Sequence, residues 1–323
     1  MSKHNIGLGL KGDTANECTG SVIDLVHHIQ EDRMSHWLLI DLTQSSELVQ
    51  HYPEWMDARM HVISCNRMAP SCSSEIFQIM TEKKRQCNLH MEPCLGTGLP
   101  AFSLLRHLIQ TGDTVTSLQC HFSPLAHYID DAMANSTSPS FEKVLRDYLA
   151  AQQSNGYCNT LMELVDELSG WSSARQLLSM VREINTKLDM KDISIHGYIT
   201  PTCRNAVLEM STEDGIMFLQ AEYLKKENSG VRNRSTDGQG RLVARMVKGK
   251  CSVRWETNFH NQNPLQAISS DQIALAVTTE RLPSPMCLHG AGQSSATVAS
   301  DIFSCLMTVA RDLGARDQGA SKE

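Results

Sequence analysis

His36-Trp37-Leu38-Leu39-Ile40-Asp41-Leu42 is an apolar run broken only by one acidic residue near its end, and His61-Val62-Ile63-Ser64-Cys65 repeats the pattern further on. Runs without polar alternation are what strands buried on both faces require, and that environment belongs to parallel sheets. Between the two, residues Glu47 to Met60 read as a crossover helix interrupted by Pro53, since proline removes a backbone donor from the helix interior. Strand, helix and strand at this spacing predict a parallel sheet wound with right-handed crossovers. Upstream, Asn5 to Leu10 is a further short strand candidate and Val22 to Ile29 carries helical periodicity.

From Asn88 onward the pattern changes. Gly96-Thr97-Gly98-Leu99-Pro100 is a turn signal, followed by a predicted helix over Ala101 to Gln110 and a strand over Val115 to His121. Helices are expected around Pro139 to Gln153 and Leu161 to Leu188. Residues 193–290 read mostly as strands joined by polar loops, the clearest being Asn228-Ser229-Gly230 and Thr236 to Gly240. Asp301 to Leu313 is a closing amphipathic helix, and the polar tail after Gly314 is expected to be disordered.

The 323 residues suffice for about two domains. A net charge of -7 gives no electrostatic reason to expect nucleic acid or an anionic membrane surface as partner. No apolar run reaches the ~20 residues of a membrane-spanning helix, and the first residues lack the core of a secretory signal, so a cytoplasmic location is expected. The 11 cysteines are scattered without paired spacing and read as reduced thiols.

Two local motifs are weak. Gly7-Leu8-Gly9-Leu10-Lys11-Gly12 fits the glycine pattern that brings backbone amides to a pyrophosphate, but only a short stretch precedes it and no acidic residue closes a second strand at the right distance. An interior strand followed by a loop is the preferred reading. Cys87-x2-His90-x3-Cys94 offers three soft ligands for zinc but lacks the paired four-ligand pattern, and buried structural cysteines explain it better.

Asp166-Glu167-Leu168-Ser169-Gly170-Trp171-Ser172-Ser173-Ala174-Arg175-Gln176 resembles the D-D-L-S-G-x-D-x-A-R-K signature of the homoserine dehydrogenases. Trp37 to Thr43, Gln50 to Glu54 and His61 to Arg67 are similar to the middle of that family's nucleotide domain, especially in the form fused to aspartokinase. Glu92 to Pro100, Leu104 to Asp113, Ser123 to Ile129 and Gly290-Ala291-Gly292 follow in the family's order.

The resemblance implies an α/β fold: a truncated Rossmann-like nucleotide-binding domain over residues 1–88, completed by a helix over 295–314, and an α+β substrate and dimerisation domain over 89–294, with a tail at 315–323. It aligns Asn5 to Leu10 with the family's second strand, which would leave out the first strand and the phosphate loop. The implied activity is NAD(P)-dependent interconversion of homoserine and aspartate semialdehyde. The implied cofactor positions are Asp41, Thr43, Asn66, Gly290 and Gly292, the substrate positions Asp166, Glu167 and Asn159, and the position near hydride transfer Arg67. A sodium or potassium ion would lie at Glu92, Leu95, Thr97 and Leu99.

Departures fall where the family's chemistry lies. Arg67 replaces a lysine, Asn159 a glutamate, Ser172 an aspartate and Gln176 a lysine, while Pro124 and Ser294 replace glycines. Neither Ser172 nor Gln176 titrates near neutral pH. Three readings follow: an oxidoreductase of the family's type; a catalytically inactive homologue serving as a binding or regulatory subunit for an aspartokinase or an active homoserine dehydrogenase; or a piece of a longer bifunctional protein whose upstream part carries the first strand. A homodimer is expected.

Overall fold

The computed structural model describes Val26 and residues 37–84, 87–123, 125, 128–129, 132, 140–154, 161–185, 187–228, 241–256, 265, 272–291 and 294–320. The strand and glycine pattern at residues 5–12 lies outside these, as does the helix at 22–29 apart from Val26, which is helical and buried.

Strands Trp37–Asp41 (β1), Met60–Ser64 (β2) and Leu89–His90 (β3) form a parallel sheet in that order. Helix Ser46–Asp57 (α1) makes the first crossover, with the Ser45 hydroxyl accepting from Leu48 N at 3.3 Å as its N-cap. It runs through Pro53 without interruption, contrary to expectation. Proline removes one intrahelical bond, and Tyr52, Trp55 and Met56, all buried beneath the sheet, hold the helix on either side. Ser74–Lys83 (α2) is the second crossover, and β3 carries this sheet past the boundary expected at residue 88.

Helix Ala101–Gln110 (α3) leads into the second sheet, which contains Val115–His121 (β4), Ile193–His196 (β5), Arg241–Val247 (β6), Lys250–Glu256 (β7), Gln272–Thr279 (β8) and Met286–Ala291 (β9). Its order is β5-β7-β6-β4-β8-β9, antiparallel except for β5 on β7. The helices beside it include Phe141–Ser154 (α4), Leu161–Ser169 (α5), Trp171–Val181 (α6), Pro201–Val207 (α7) and Thr212–Asn228 (α8).

The single helix expected over Leu161 to Leu188 is two, because Gly170 between α5 and α6 sits at φ +83°, a left-handed conformation that ends a helix. A Cβ there would meet Val253 at 3.1 Å and Ile195 at 3.2 Å, so the break is also pressed against the sheet. Helices α7 and α8 interrupt the region read as strands. Among the described side chains of α8, Ile216 and Leu219 are the fully buried apolar anchors, with charged residues around them, so its apolar stripe is sparse. The loop expected at Asn228 is the end of α8, and residues 229–240 are not described.

Ser295–Ala320 (α9) returns to the first sheet, where Cys305 and Val309 are buried. The backbone is helical to Ala320, so the disordered tail expected after Gly314 is not what is found.

Arg182, just past α6, fastens the two sheets' domains together. Its side chain is fully buried, and it donates to Pro70 O and Cys72 O at 2.8 Å, Leu188 O at 2.9 Å and Asp189 Oδ1 at 3.0 Å, with its guanidinium over the Phe77 ring. Asp189 also accepts from the Ser74 backbone N at 2.8 Å, joining the same knot to α2. Removing the guanidinium strands several buried acceptors and one carboxylate. Arg182→Met is therefore expected to lose about 3–5 kcal/mol of stability, read from urea unfolding, and Arg182→Lys, which cannot reproduce the forked geometry, to recover only part of it.

Candidate functional site

Ser172, Arg175, Gln176 and Ser179 fall at positions i, i+3, i+4 and i+7 of α6 and so share one helix face. Opposite them stand Arg67 and Pro70 from the loop after β2, and Cys94 from the 3-10 turn after β3. Together they line a narrow cleft between the two domains, whose free interior of about 10 Å³ is the size of a water molecule. Three of the positions at which the chain departs from the homoserine dehydrogenase pattern, 67, 172 and 176, thus converge on one cavity.

The chemistry of that cavity follows from its lining. Gln176 is 4% exposed, and among the described residues neither of its amide atoms has a partner. An unsatisfied buried amide costs about 1–3 kcal/mol, so it marks a place where a bound group would be stabilised. The Cys94 thiol donates to Ser64 O at 3.0 Å and Asn66 O at 3.2 Å, and burial raises its pKa well above the ordinary value, so it forms a neutral wall.

Behind the cleft Asp166 is clamped by two cations. Arg175 Nη1 binds one of its oxygens and Arg204 Nε the other, at 2.7 Å, while both guanidinium groups lie over the Trp171 ring. Glu167 is buried, and the Ser123 hydroxyl donates to it at 3.3 Å. Burial pushes its carboxyl up to about 7 against the opposing influence of Arg67 and the Ser123 bond. Both lie in the buried second half of α5.

The expected cofactor residues gather at the C-terminal edge of β1 and β2, bonded mainly to one another and to their neighbours. Asp41 accepts from Thr43 N at 2.7 Å, Tyr52 Oη at 2.5 Å and Asn66 Nδ2 at 3.0 Å. Asn66 also donates to Ser45 O at 2.8 Å and accepts from Met68 N at 2.9 Å. Gly290 lies within β9, opposite Ile273, where a Cβ would meet Leu99 at 3.0 Å; it is not in a glycine loop. Gly292, Asn159 and Pro124 lie outside the described residues. Ser294 is an N-cap, its hydroxyl accepting from Thr297 N at 3.1 Å.

Among the expected cation ligands, Leu99 O accepts from Ala101 N at 2.7 Å and the Glu92 carboxylate is bound by Arg106. The Thr97 hydroxyl accepts from Leu99 N at 3.2 Å, and Leu95 lies buried beside them. The Cys87-His90-Cys94 trio does not converge: Cys87 donates to Met56 O at 3.2 Å, Cys94 to the β2 end, and His90 faces Glu92.

Sequence reasoning did not single out Arg175, Ser179, Cys94, Pro70 or Arg204 for this site. Only the α6 residues had a readable signal, the helical spacing that Arg175 and Ser179 share with Ser172 and Gln176.

A parallel α/β sheet joined to a mixed sheet is the architecture of the solved homoserine dehydrogenases that superpose on this chain. In sequence and in fold the chain is similar to homoserine dehydrogenases. It is 27% identical over 328 residues to the chloroplastic bifunctional aspartokinase/homoserine dehydrogenase 2 of Arabidopsis thaliana, covering 98% of this chain and 34% of that protein. It is 23% identical over 291 residues to the homoserine dehydrogenase of Schizosaccharomyces pombe, covering 87% and 74%. The chain spans about a third of the length of the bifunctional relatives it matches. A Candida auris protein of unknown function superposes with a TM-score of 0.73 at 18% identity, covering 93% of this chain and 82% of that one. The homoserine dehydrogenase of Thermoplasma acidophilum superposes at 0.64 and 16% identity, covering 93% and 80%. No family model matches.

Two outcomes are expected of the free protein. Gln176→Leu replaces an unpartnered amide by an apolar group of similar size and should raise stability by about 1–2 kcal/mol in thermal or urea unfolding. Glu167, with its ordinary pKa near 4.5 and a folded value of about 7, is protonated in both states at low pH. As pH rises the unfolded chain ionises first, so stability falls between these two values by up to about 3 kcal/mol. Glu167→Gln should remove that loss, its stability relative to the parent growing from mildly acidic to mildly alkaline pH.

Proposed function

We propose that this protein is a catalytically inactive homologue of the homoserine dehydrogenases that serves as a binding or regulatory subunit. The observation that carries this reading is the pairing of Ser172 and Gln176 on the cleft wall. Oxidation of an alcohol at carbon releases a hydroxyl proton as hydride leaves, and a positioned acid or base typically contributes about 10²–10⁴-fold to such a step. A serine hydroxyl and an amide do not exchange protons near neutral pH, the Arg67 guanidinium stays charged, and the Cys94 thiol is held neutral. Glu167 titrates near neutrality but lies beneath Ser123, outside the cleft lining.

The polar groups around the cleft are largely committed to one another. Asp166, the carboxylate best placed by resemblance to receive an ammonium group, is already shared between Arg175 and Arg204. A substrate amino group would therefore lack the partner that the resemblance implies.

NADP or NAD is the cofactor class carried by family resemblance; an archaeal homoserine dehydrogenase of TM-score 0.60 and 17% identity is known in complex with NADPH. When bound, such a cofactor supplies or accepts hydride. The edge of β1 and β2 is where a parallel sheet would receive it, but Asp41 and Asn66 there are buried and mutually bonded, which does not fit direct ribose contacts. The assembly reading that accompanies the proposal is a homodimeric binding or regulatory subunit for an aspartokinase or an active homoserine dehydrogenase.

The test is NADPH oxidation with aspartate semialdehyde, run beside an active relative. Turnover about 10²–10⁴-fold lower is expected. Comparable turnover would overturn the proposal and return the oxidoreductase reading, with Glu167 the first proton carrier to examine.

A further inference from the structure

A second cluster lies across the first sheet's edge from the cleft. His90 ends β3, Glu92 begins the 3-10 turn that follows, and Cys305 reaches the same point from α9. One potential ligand atom from each lies within 4.8 Å of the other two. His90 Nδ1 is 3.5 Å, and Cys305 Sγ 4.0 Å, from the same oxygen, Glu92 Oε2. In a tetrahedral zinc site with ordinary bond lengths, the nitrogen–oxygen and sulfur–oxygen edges come to about 3.3 and 3.6 Å. Those two edges are a few tenths of an ångström longer here, and the His90–Cys305 edge lies within 4.8 Å.

We propose that His90, Glu92 and Cys305 form a zinc site that fastens α9 to the turn after β3. Imidazole, carboxylate and thiolate together suit zinc and are too soft a set for sodium, potassium or magnesium. Water is the fourth ligand such a site would take.

The surroundings are built to support such a site. Glu92 Oε1 is held by Arg106, whose remaining guanidinium edge is fixed by two 2.9 Å bonds to Glu183. That leaves Oε2 oriented toward His90 and Cys305, the outer-shell arrangement that fixes a ligating carboxylate. Charge balance agrees. Arg106 and Lys84 against Glu92, Glu183 and Asp301 leave one excess negative charge. Zinc bound with loss of the Cys305 proton adds one positive charge and neutralises the group.

The experiment is metal analysis of the full-length chain purified with zinc supplied, beside Cys305→Ser and His90→Gln, followed by cobalt substitution. About one zinc per chain is expected, lost in both variants, together with a thiolate-to-cobalt absorption band in the parent that Cys305→Ser lacks. Parent protein without zinc, or zinc retained by both variants and so held by other cysteines, would overturn the proposal. Should one variant fail to fold, the other and the cobalt spectrum of the parent still decide it.

Discussion

Arg182 sets the distance on which the rest of the site depends. A guanidinium removed from water is tolerated only where nearly all its donors meet acceptors, and here four contacts reach the Pro70 to Cys72 loop, the segment after α6, and Asp189. Pro70 also lines the cleft, and Arg182 follows Ser179 by one turn of the same helix. The clamp therefore fixes how far the α6 face stands from Arg67 and Cys94. Cleft width is a consequence of that buried charge, because the residues facing the cavity make few bonds across it.

The charged groups behind the cleft are paired with one another. The Arg175–Asp166–Arg204 triad, stacked on Trp171, gives α5, α6 and α7 a common anchor. The same triad withholds a carboxylate from any ligand. Gln176 is the converse case, a buried amide without partners that lowers the stability of the free protein and rewards occupancy. Such tension between stability and function belongs to binding sites.

How much of this was legible in the sequence depends on how local each signal is. Strands β1 and β2 stood out because Trp37 to Leu42 and His61 to Cys65 lack polar alternation, and α3 because Pro100 and Gly112 bracket it. The break at Gly170 was hidden, since apolar residues continue on both sides and only the left-handed backbone against Val253 and Ile195 ends α5. Pro53 misled in the opposite direction, its lost bond being outweighed by the burial of Tyr52 and Trp55. For the site, the family signature located Ser172 and Gln176, and helical spacing would have added Arg175 and Ser179. The approach of Pro70 and Cys94, and the meeting of His90 with Cys305, arise from contacts between distant segments that leave no periodic trace.

The absence of a proton-transfer group at positions 172 and 176 is the constraint on which the functional reading stands. NADPH oxidation with aspartate semialdehyde tests it most directly when the parent is compared with the Ser172→Asp, Gln176→Lys double variant, which returns both residues of the family signature. Turnover at least about 10-fold higher in the double variant than in the parent is predicted. Turnover by the parent at the rate of an active relative would contradict it.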